Sequence, residues 1–166
     1  FNTEDRTMTI ILAADNDWAI GKDGGLLTDI PEDKKFFRET TKDSTVIMGR
    51  KTWDSLPKKP LPNRTNIVLS RTVKQLEGAQ VFADVDSLLE YTAKAEGKVF
   101  VIGGAEIYRE LLPHCDEAYI TRIYENFHGD VFFEDIGRDK DWELAGASPV
   151  VFSECRNIRF FHYKRK

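Results

Sequence analysis

Runs of apolar, β-branched residues punctuate the first two thirds of the chain: MTIILAA (8–14), STVIMG (44–49), TNIVLS (65–70), AQVFA (79–83) and KVFVIGG (98–104). Each has the length and composition of a strand. Between them the apolar positions fall at helical spacing. Helices are predicted over Pro31–Thr40, over Arg50–Leu56, over Asp84–Gly97 with Asp84 or Asp86 as cap and Gly97 as stop, and after Gly104, where Ile107, Tyr108, Leu111 and Leu112 share one side. Alternating strands and helices predict an α/β domain with parallel strands. The last third changes character. EAYITRIYE, GDVFFED, WELAGASPVVF and IRFFHYKRK read as strands with hardly any helix between them, which predicts antiparallel additions at a sheet edge. One mixed-sheet domain over residues 8–166 is expected. The polar stretch FNTEDRT, residues 1–7, is expected to be a tag remnant or a disordered extension.

One helix poses a chemical question. Pro31 suits the first helical turn, and Asp29 with Glu32 three residues on predicts a capping box. Asp33 is then a third acid, on the same face as Phe36 and Phe37, while Lys34, Lys35, Arg38 and Glu39 fall largely elsewhere. It either adds charge favoured by the helix dipole or is a ligand-facing carboxylate in a half-apolar cleft. An acid on an apolar face is costly unless something pairs with it.

Composition narrows the classes. With 166 residues, 41% hydrophobic and 31% charged, the chain can bury a core and is not of disordered type. A net charge of -4 gives no bulk attraction to nucleic acid or anionic membrane, and neither partner is expected. Cys115 and Cys155 form no CxxC and are expected to be free thiols in a cytoplasmic protein. His114, His128 and His162 stand at no metal-ligand spacing, so no metal is expected.

Two predicted strands end in glycine and lead directly into helices: VIMGRKTW (46–53) and FVIGGAEIY (100–108). Unpaired amides at a helix start attract anions, and glycine lets a phosphate come close to the backbone. Arg50, Lys51 and Thr52 at one turn and Gly103 to Glu106 at the other fit a pyrophosphate. Ser70 and Arg71, at the end of TNIVLSR, suit a further phosphate. Neither GxGxxG nor GxxxxGK[ST] is present.

Taken together, ILAADNDWAIGKDG, IPEDKKFFRETT, VIMGRKTWDSLPKKPLPNRTNIVLSR, VFVIGGAEIYRELLP, DEAYITRI and GDVFFED resemble, in order, the dihydrofolate reductase family. The resemblance covers residues 8–166. It implies an α/β fold with a twisted sheet of about eight strands, mostly parallel with an antiparallel C-terminal strand, and helices on both faces. It implies NADPH-dependent reduction of 7,8-dihydrofolate to tetrahydrofolate by a protein that also binds antifolates; at this length a monomer is the default expectation. Asp33 would grip the pterin through two hydrogen bonds, with Thr121 holding its carboxylate. Phe37, Leu26, Leu56, Leu61 and Ile102 would form apolar walls, and the carbonyls of Ile11 and Ile102 would bind the pterin amine. Arg64 would pair with the glutamate α-carboxylate. Ala13 and Tyr108 would lie beside substrate and cofactor alike. The cofactor would also meet Ile20, Gly49, Arg50, Lys51, Thr52, Leu69, Ser70, Arg71, Ile102, Gly103, Gly104, Ala105, Glu106 and Ile107. A cis peptide is implied between Gly103 and Gly104, and Gly21 to Thr28 would be a mobile lid loop.

The chain departs from the family pattern at three places. Leu27 and Thr28 stand where Pro and Trp are usual, and the Thr28 hydroxyl is the group left to hold a water near the acid. Lys34 replaces an apolar residue and is expected to cover apolar surface with its stem or to reach a folate carboxylate. Val131 replaces a threonine in the loop that latches the lid. The alternatives are a pyrimidine reductase of riboflavin synthesis with the same fold, and a protein that binds folate or NADPH without turnover.

Overall fold

The computed structural model describes residues 8–27 and 29–166. In chain order the elements are β1 (Met8–Ala14), β2 (Ala19–Lys22), β3 (Gly25–Leu26), α1 (Pro31–Thr41), β4 (Thr45–Gly49), α2 (Arg50–Ser55), β5 (Thr65–Leu69), β6 (Gln80–Phe82), α3 (Val85–Thr92), β7 (Val99–Gly103), α4 (Ala105–Leu111), β8 (Glu117–Ile123), β9 (Val131–Phe132), β10 (Trp142–Ala147), β11 (Val151–Ser153) and β12 (Arg156–Arg165). They form a mixed α/β fold with a central, mostly parallel sheet. The chain divides into two compact units, residues 8–10 with 41–116 and residues 11–40 with 117–166, so β1 contributes to both.

The first unit is a parallel sheet in the order β1-β7-β4-β5-β6. Its inner strands read as unbroken apolar runs because they are covered on both faces. Val46, Ile47, Met48, Ile67, Val68, Phe100 and Val101 are fully buried. Each such side chain contributes about 1.5–3 kcal/mol on leaving water, which makes this the stable floor of the unit. Asp84 proves to be the cap of α3. Its carboxylate accepts from the Ser87 amide at 2.7 Å, and that bond holds its carboxyl below the usual range. The helix stops at Thr92, ahead of Gly97.

The second unit is mainly antiparallel, in the order β10-β12-β8-β1 with β11 also on β12. Ile30, Ile123 and Ile158 form a cluster here, with Ala13, Phe127, Val151 and Phe160 packed against it. A small sheet, β3-β2-β9, completes the unit. It corrects the reading of this stretch as a loop over residues 21–26. Gly21 pairs with Leu26 and Lys22 with Gly25 across Asp23 and Gly24, whose φ values of 52° and 82° make the two-residue turn that suits a hairpin. No described helix is long and apolar enough to cross a membrane.

Candidate active site

Helix α1 divides as its spacing predicts. Asp33, Phe36, Phe37 and Thr40 turn inward and Thr41 is fully buried, whereas Lys34, Lys35, Arg38 and Glu39 are exposed. The predicted capping box does not form. The helix starts at Pro31, with Lys34 N donating to the Ile30 carbonyl at 3.0 Å, so Asp29 stands one residue outside the cap position. Its carboxylate pairs instead with Lys34 at 2.8 Å, and Glu32 accepts from the Ser153 hydroxyl. The Lys34–Asp29 pair is exposed and adds little to stability.

Asp33 has a partner of its own. Thr121 on β8, 2% exposed, donates its hydroxyl to Asp33 Oδ1 at 2.7 Å. Phe36 lies 4.6 Å from Phe160 and 6.0 Å from Tyr119, ring centre to ring centre. Burial pushes the Asp33 carboxyl above its usual range, and the Thr121 hydrogen bond pulls against that shift. A half-buried carboxylate on the helix face it shares with Phe36 and Phe37, with Oδ1 engaged by Thr121, has acceptor capacity that suits a ligand with donors.

The hairpin β2–β3 follows Ile11 and Ala13 of β1 and carries half-buried Ile20 and Leu26, which is 81% exposed. Beside it, β9 pairs Phe132 with Ala19 and Val131 with Gly21. Asp130 latches the turn: its carboxylate accepts from Asp23 N at 3.0 Å, and its own amide donates to the Gly21 carbonyl at 3.0 Å. Gly129 permits this approach. A Cβ there would meet the Gly21 carbonyl at 2.6 Å, Ala19 Cβ at 2.7 Å and Leu27 Cδ2 at 2.9 Å.

In the first unit the two glycine turns form as the sequence implies. Gly49 precedes α2 and Gly104 precedes α4, and neither helix start is capped by its cap residue's side chain. The Gly103–Gly104 peptide is cis. A Cβ on Gly103 would lie 3.2 Å from Thr52 Oγ1 and 3.6 Å from the Tyr108 hydroxyl, and one on Gly49 would lie 2.9 Å from Ile107 Cγ1. Thr52, Gly103, Ile107 and buried Tyr108 are therefore brought together. Ala105 and exposed Glu106 form the first turn of α4, and half-buried Ile102 precedes the glycines. At the end of β5, after buried Leu69, the Ser70 hydroxyl accepts from Val73 N at 3.2 Å, and Arg71 is exposed beside it. Arg50 is engaged with Asp54 at 2.9 Å, and Lys51 is exposed. A Cβ-free cradle, two uncapped helix starts and a hydroxyl–guanidinium pair fit a phosphorylated dinucleotide such as NADPH.

Leu56 ends α2, and Leu61 and Arg64 lie on the loop before β5. Asn66 organises that loop. It is 3% exposed, accepts from Leu61 N at 3.0 Å and donates to the carbonyls of Leu61 (3.0 Å) and Arg64 (3.1 Å). Sequence reasoning missed Asn66, although an asparagine inside an apolar strand run is an available signal. It missed Gly129 and the Asp23-Gly24 turn as well; Asp-Gly between short paired runs was the cue. Thr28 and residues 1–7 lie outside the described residues. Among the described residues no group of three or more His, Cys, Asp and Glu side chains is placed to hold a metal ion.

Comparison with known proteins bears on the same elements. Residues 7–165 match the family model described as dihydrofolate reductase. A dihydrofolate reductase of Neisseria meningitidis is 39% identical over 159 residues, covering 95% of this chain and 98% of the relative. One from Bacillus subtilis is 34% identical over 162 residues, covering 96% and 95%. A solved Enterococcus faecalis dihydrofolate reductase complexed with NADP(H) and RAB-propyl superposes with a TM-score of 0.89 at 38% identity, covering 98% of each chain. With its family matched from end to end and its fold shared, the chain belongs to the dihydrofolate reductase family.

Proposed function

We propose that this chain catalyses NADPH-dependent reduction of 7,8-dihydrofolate to 5,6,7,8-tetrahydrofolate, with Asp33 as the group that orients the pterin. The observation that carries the residue assignment is the Asp33–Thr121 pair, in which a buried hydroxyl of β8 engages the half-buried acid on the inward face of α1. Ionised Asp33 accepts from the exocyclic amine and the adjacent ring nitrogen, a charge-assisted pair that fixes the ring in its plane. Thr121 holds the carboxylate for that contact. Phe37, Leu26, Leu56, Leu61 and Ile102 supply apolar walls, the carbonyls of Ile11 and Ile102 take the amine, and Arg64 takes the glutamate carboxylate. Lys34, drawn to Asp29, is assigned to the outer edge of the substrate.

Ala13, Ile20, Gly49 to Thr52, Leu69 to Arg71 and Ile102 to Tyr108 hold the cofactor, which when bound supplies the hydride. The phosphates fall to the glycine turns, and Ser70 with Arg71 selects the extra phosphate of NADPH over NADH. Asp33 raises the readiness of the ring to accept hydride by electrostatics, while water delivers the proton to the imine nitrogen. Thr28 is assigned, on sequence alone, the holding of that water. The β2–β3 hairpin acts as the lid that excludes bulk solvent. Residues 8–166 act as one catalytic domain, monomeric and cytoplasmic, without nucleic-acid or membrane partners, and antifolates compete for Asp33.

The test is NADPH consumption by the purified protein with dihydrofolate, tetrahydrofolate being identified as product and NADH run as control. Turnover with preference for NADPH supports the reading. Tight binding of both ligands with no oxidation of NADPH would sink it in favour of a non-catalytic binding protein.

A further inference from the structure

Asp15 has no part in the site described above, yet its side chain is wholly buried. It opens the turn between β1 and β2. Its Oδ1 accepts from Asp17 N at 2.9 Å and Ala19 N at 3.0 Å, and its Oδ2 accepts from Phe127 N at 3.0 Å. Its amide donates to the Ala19 carbonyl at 3.1 Å, and its carbonyl accepts from Trp18 N at 3.1 Å. Arg122 on β8 closes the turn from behind. Its Nη2 donates to the Asp15 carbonyl at 2.9 Å, and its guanidinium lies 4.1 Å from the centre of the Trp18 ring. Trp18 sits at φ 62°, a conformation a bulky residue adopts only where its surroundings enforce it.

These contacts share a direction. The turn runs straight into β2, and the Phe127 amide belongs to the segment that leads to β9, the strand on which β2 pairs. That pairing is irregular between Ala19 and Gly21, so the ladder is interrupted where the turn hands over to the hairpin. The hairpin is thus held at its base by Asp15 and at its tip by Asp130. Three amide donors converging on two oxygens require a side chain that only accepts. Asparagine, with one acceptor, would turn a donor toward an N–H.

We propose that Asp15, backed by Arg122, is a positioning residue for the lid: it sets the register at which the β2–β3 hairpin leaves β1 and lies along β9. The inference rests on the reading of that hairpin as the lid over dihydrofolate.

The experiment is single-turnover hydride transfer by Asp15→Asn, Asp130→Asn and the double variant, beside the wild type. Binding of 2′,5′-ADP, whose phosphates belong to the other unit, and thermal midpoints are measured in parallel. Asp15→Asn is expected to transfer hydride at least about tenfold more slowly, the loss of one buried charged hydrogen bond, with 2′,5′-ADP affinity unchanged. The double variant is expected to be no slower than the slower single variant, since both act through one hairpin. Wild-type turnover combined with an undiminished rate in Asp15→Asn, at a lowered melting temperature, overturns the positioning role alone and leaves the reductase reading intact. Fully additive losses overturn it too. Should Asp15→Asn fail to fold, Arg122→Lys, which keeps the cation and loses the fork, must show the same slow transfer; a wild-type rate there refutes the proposal.

Discussion

Replacing Thr121 with valine removes one hydroxyl while keeping the shape of the side chain. That hydroxyl donates to Asp33 Oδ1 at 2.7 Å from a residue only 2% exposed, so bulk water does not take its place. A hydrogen bond to a charged group contributes about 1.5–3 kcal/mol. Burial already raises the Asp33 pKa, and the Thr121 bond is the opposing influence. Its loss leaves burial unopposed and tightens proton binding to Asp33. The assay is kcat/KM for dihydrofolate against pH, whose acid limb reports groups of the free enzyme. The limb of Thr121→Val is expected at distinctly higher pH than that of the wild type, with similar values well above it. Coincident acid limbs would refute the claim that Thr121 holds the Asp33 carboxylate.

Three further outcomes follow from the same geometry. Because the folded-state pKa of Asp33 is raised, the native protein binds the extra proton more tightly than the unfolded chain, and stability is lost as pH rises from the ordinary carboxylate value through the raised one. Asp33→Asn is therefore expected to melt higher than the wild type at neutral pH, with the gain shrinking in acid; equal melting curves at every pH would contradict this. Gly129→Ala places a methyl against the Gly21 carbonyl, Ala19 and Leu27, all closer than 3.0 Å, and overpacking of this kind costs about 1–3 kcal/mol. Displaced hairpin pairing should slow hydride transfer more than it lowers NADPH affinity, and rapid-mixing kinetics with a binding titration separate the two. Gly49→Ala pushes on Ile107 Cγ1 from 2.9 Å and should weaken NADPH binding with little effect on dihydrofolate binding, read by calorimetry on each ligand.

Much of this was legible in the residues because the parallel strands are covered on both faces. Apolar runs such as VIMG and VFVIG have one stable placement, and glycines at their ends mark where backbone must stay open. The inward face of α1 followed from spacing alone, and with it Asp33. What was not legible depends on segments distant in the chain. The Thr121–Asp33 pair was implied only through resemblance, because no local pattern links a threonine in β8 to an acid in α1. The capping box failed because the helix starts at Pro31, which leaves Asp29 one residue outside the cap position, and Glu32 turns to the Ser153 hydroxyl. The roles of Asp15 and Asp130 rest on partners more than a hundred residues away. The two-residue β3 carries too little periodicity to announce itself, and the Asp-Gly turn was its one local sign, whereas β9 falls inside GDVFFED, which does read as a strand.

The central claim is that Asp33 serves the pterin. Single-turnover transfer of hydride from NADPH to dihydrofolate, wild type against Asp33→Asn, tests it most directly. The account predicts that the variant folds, binds NADPH as the wild type does and loses hydride transfer by at least about a hundredfold, the loss expected when a charge-assisted bidentate contact is removed. Transfer within a few-fold of the wild type, with dihydrofolate bound equally well, would contradict it.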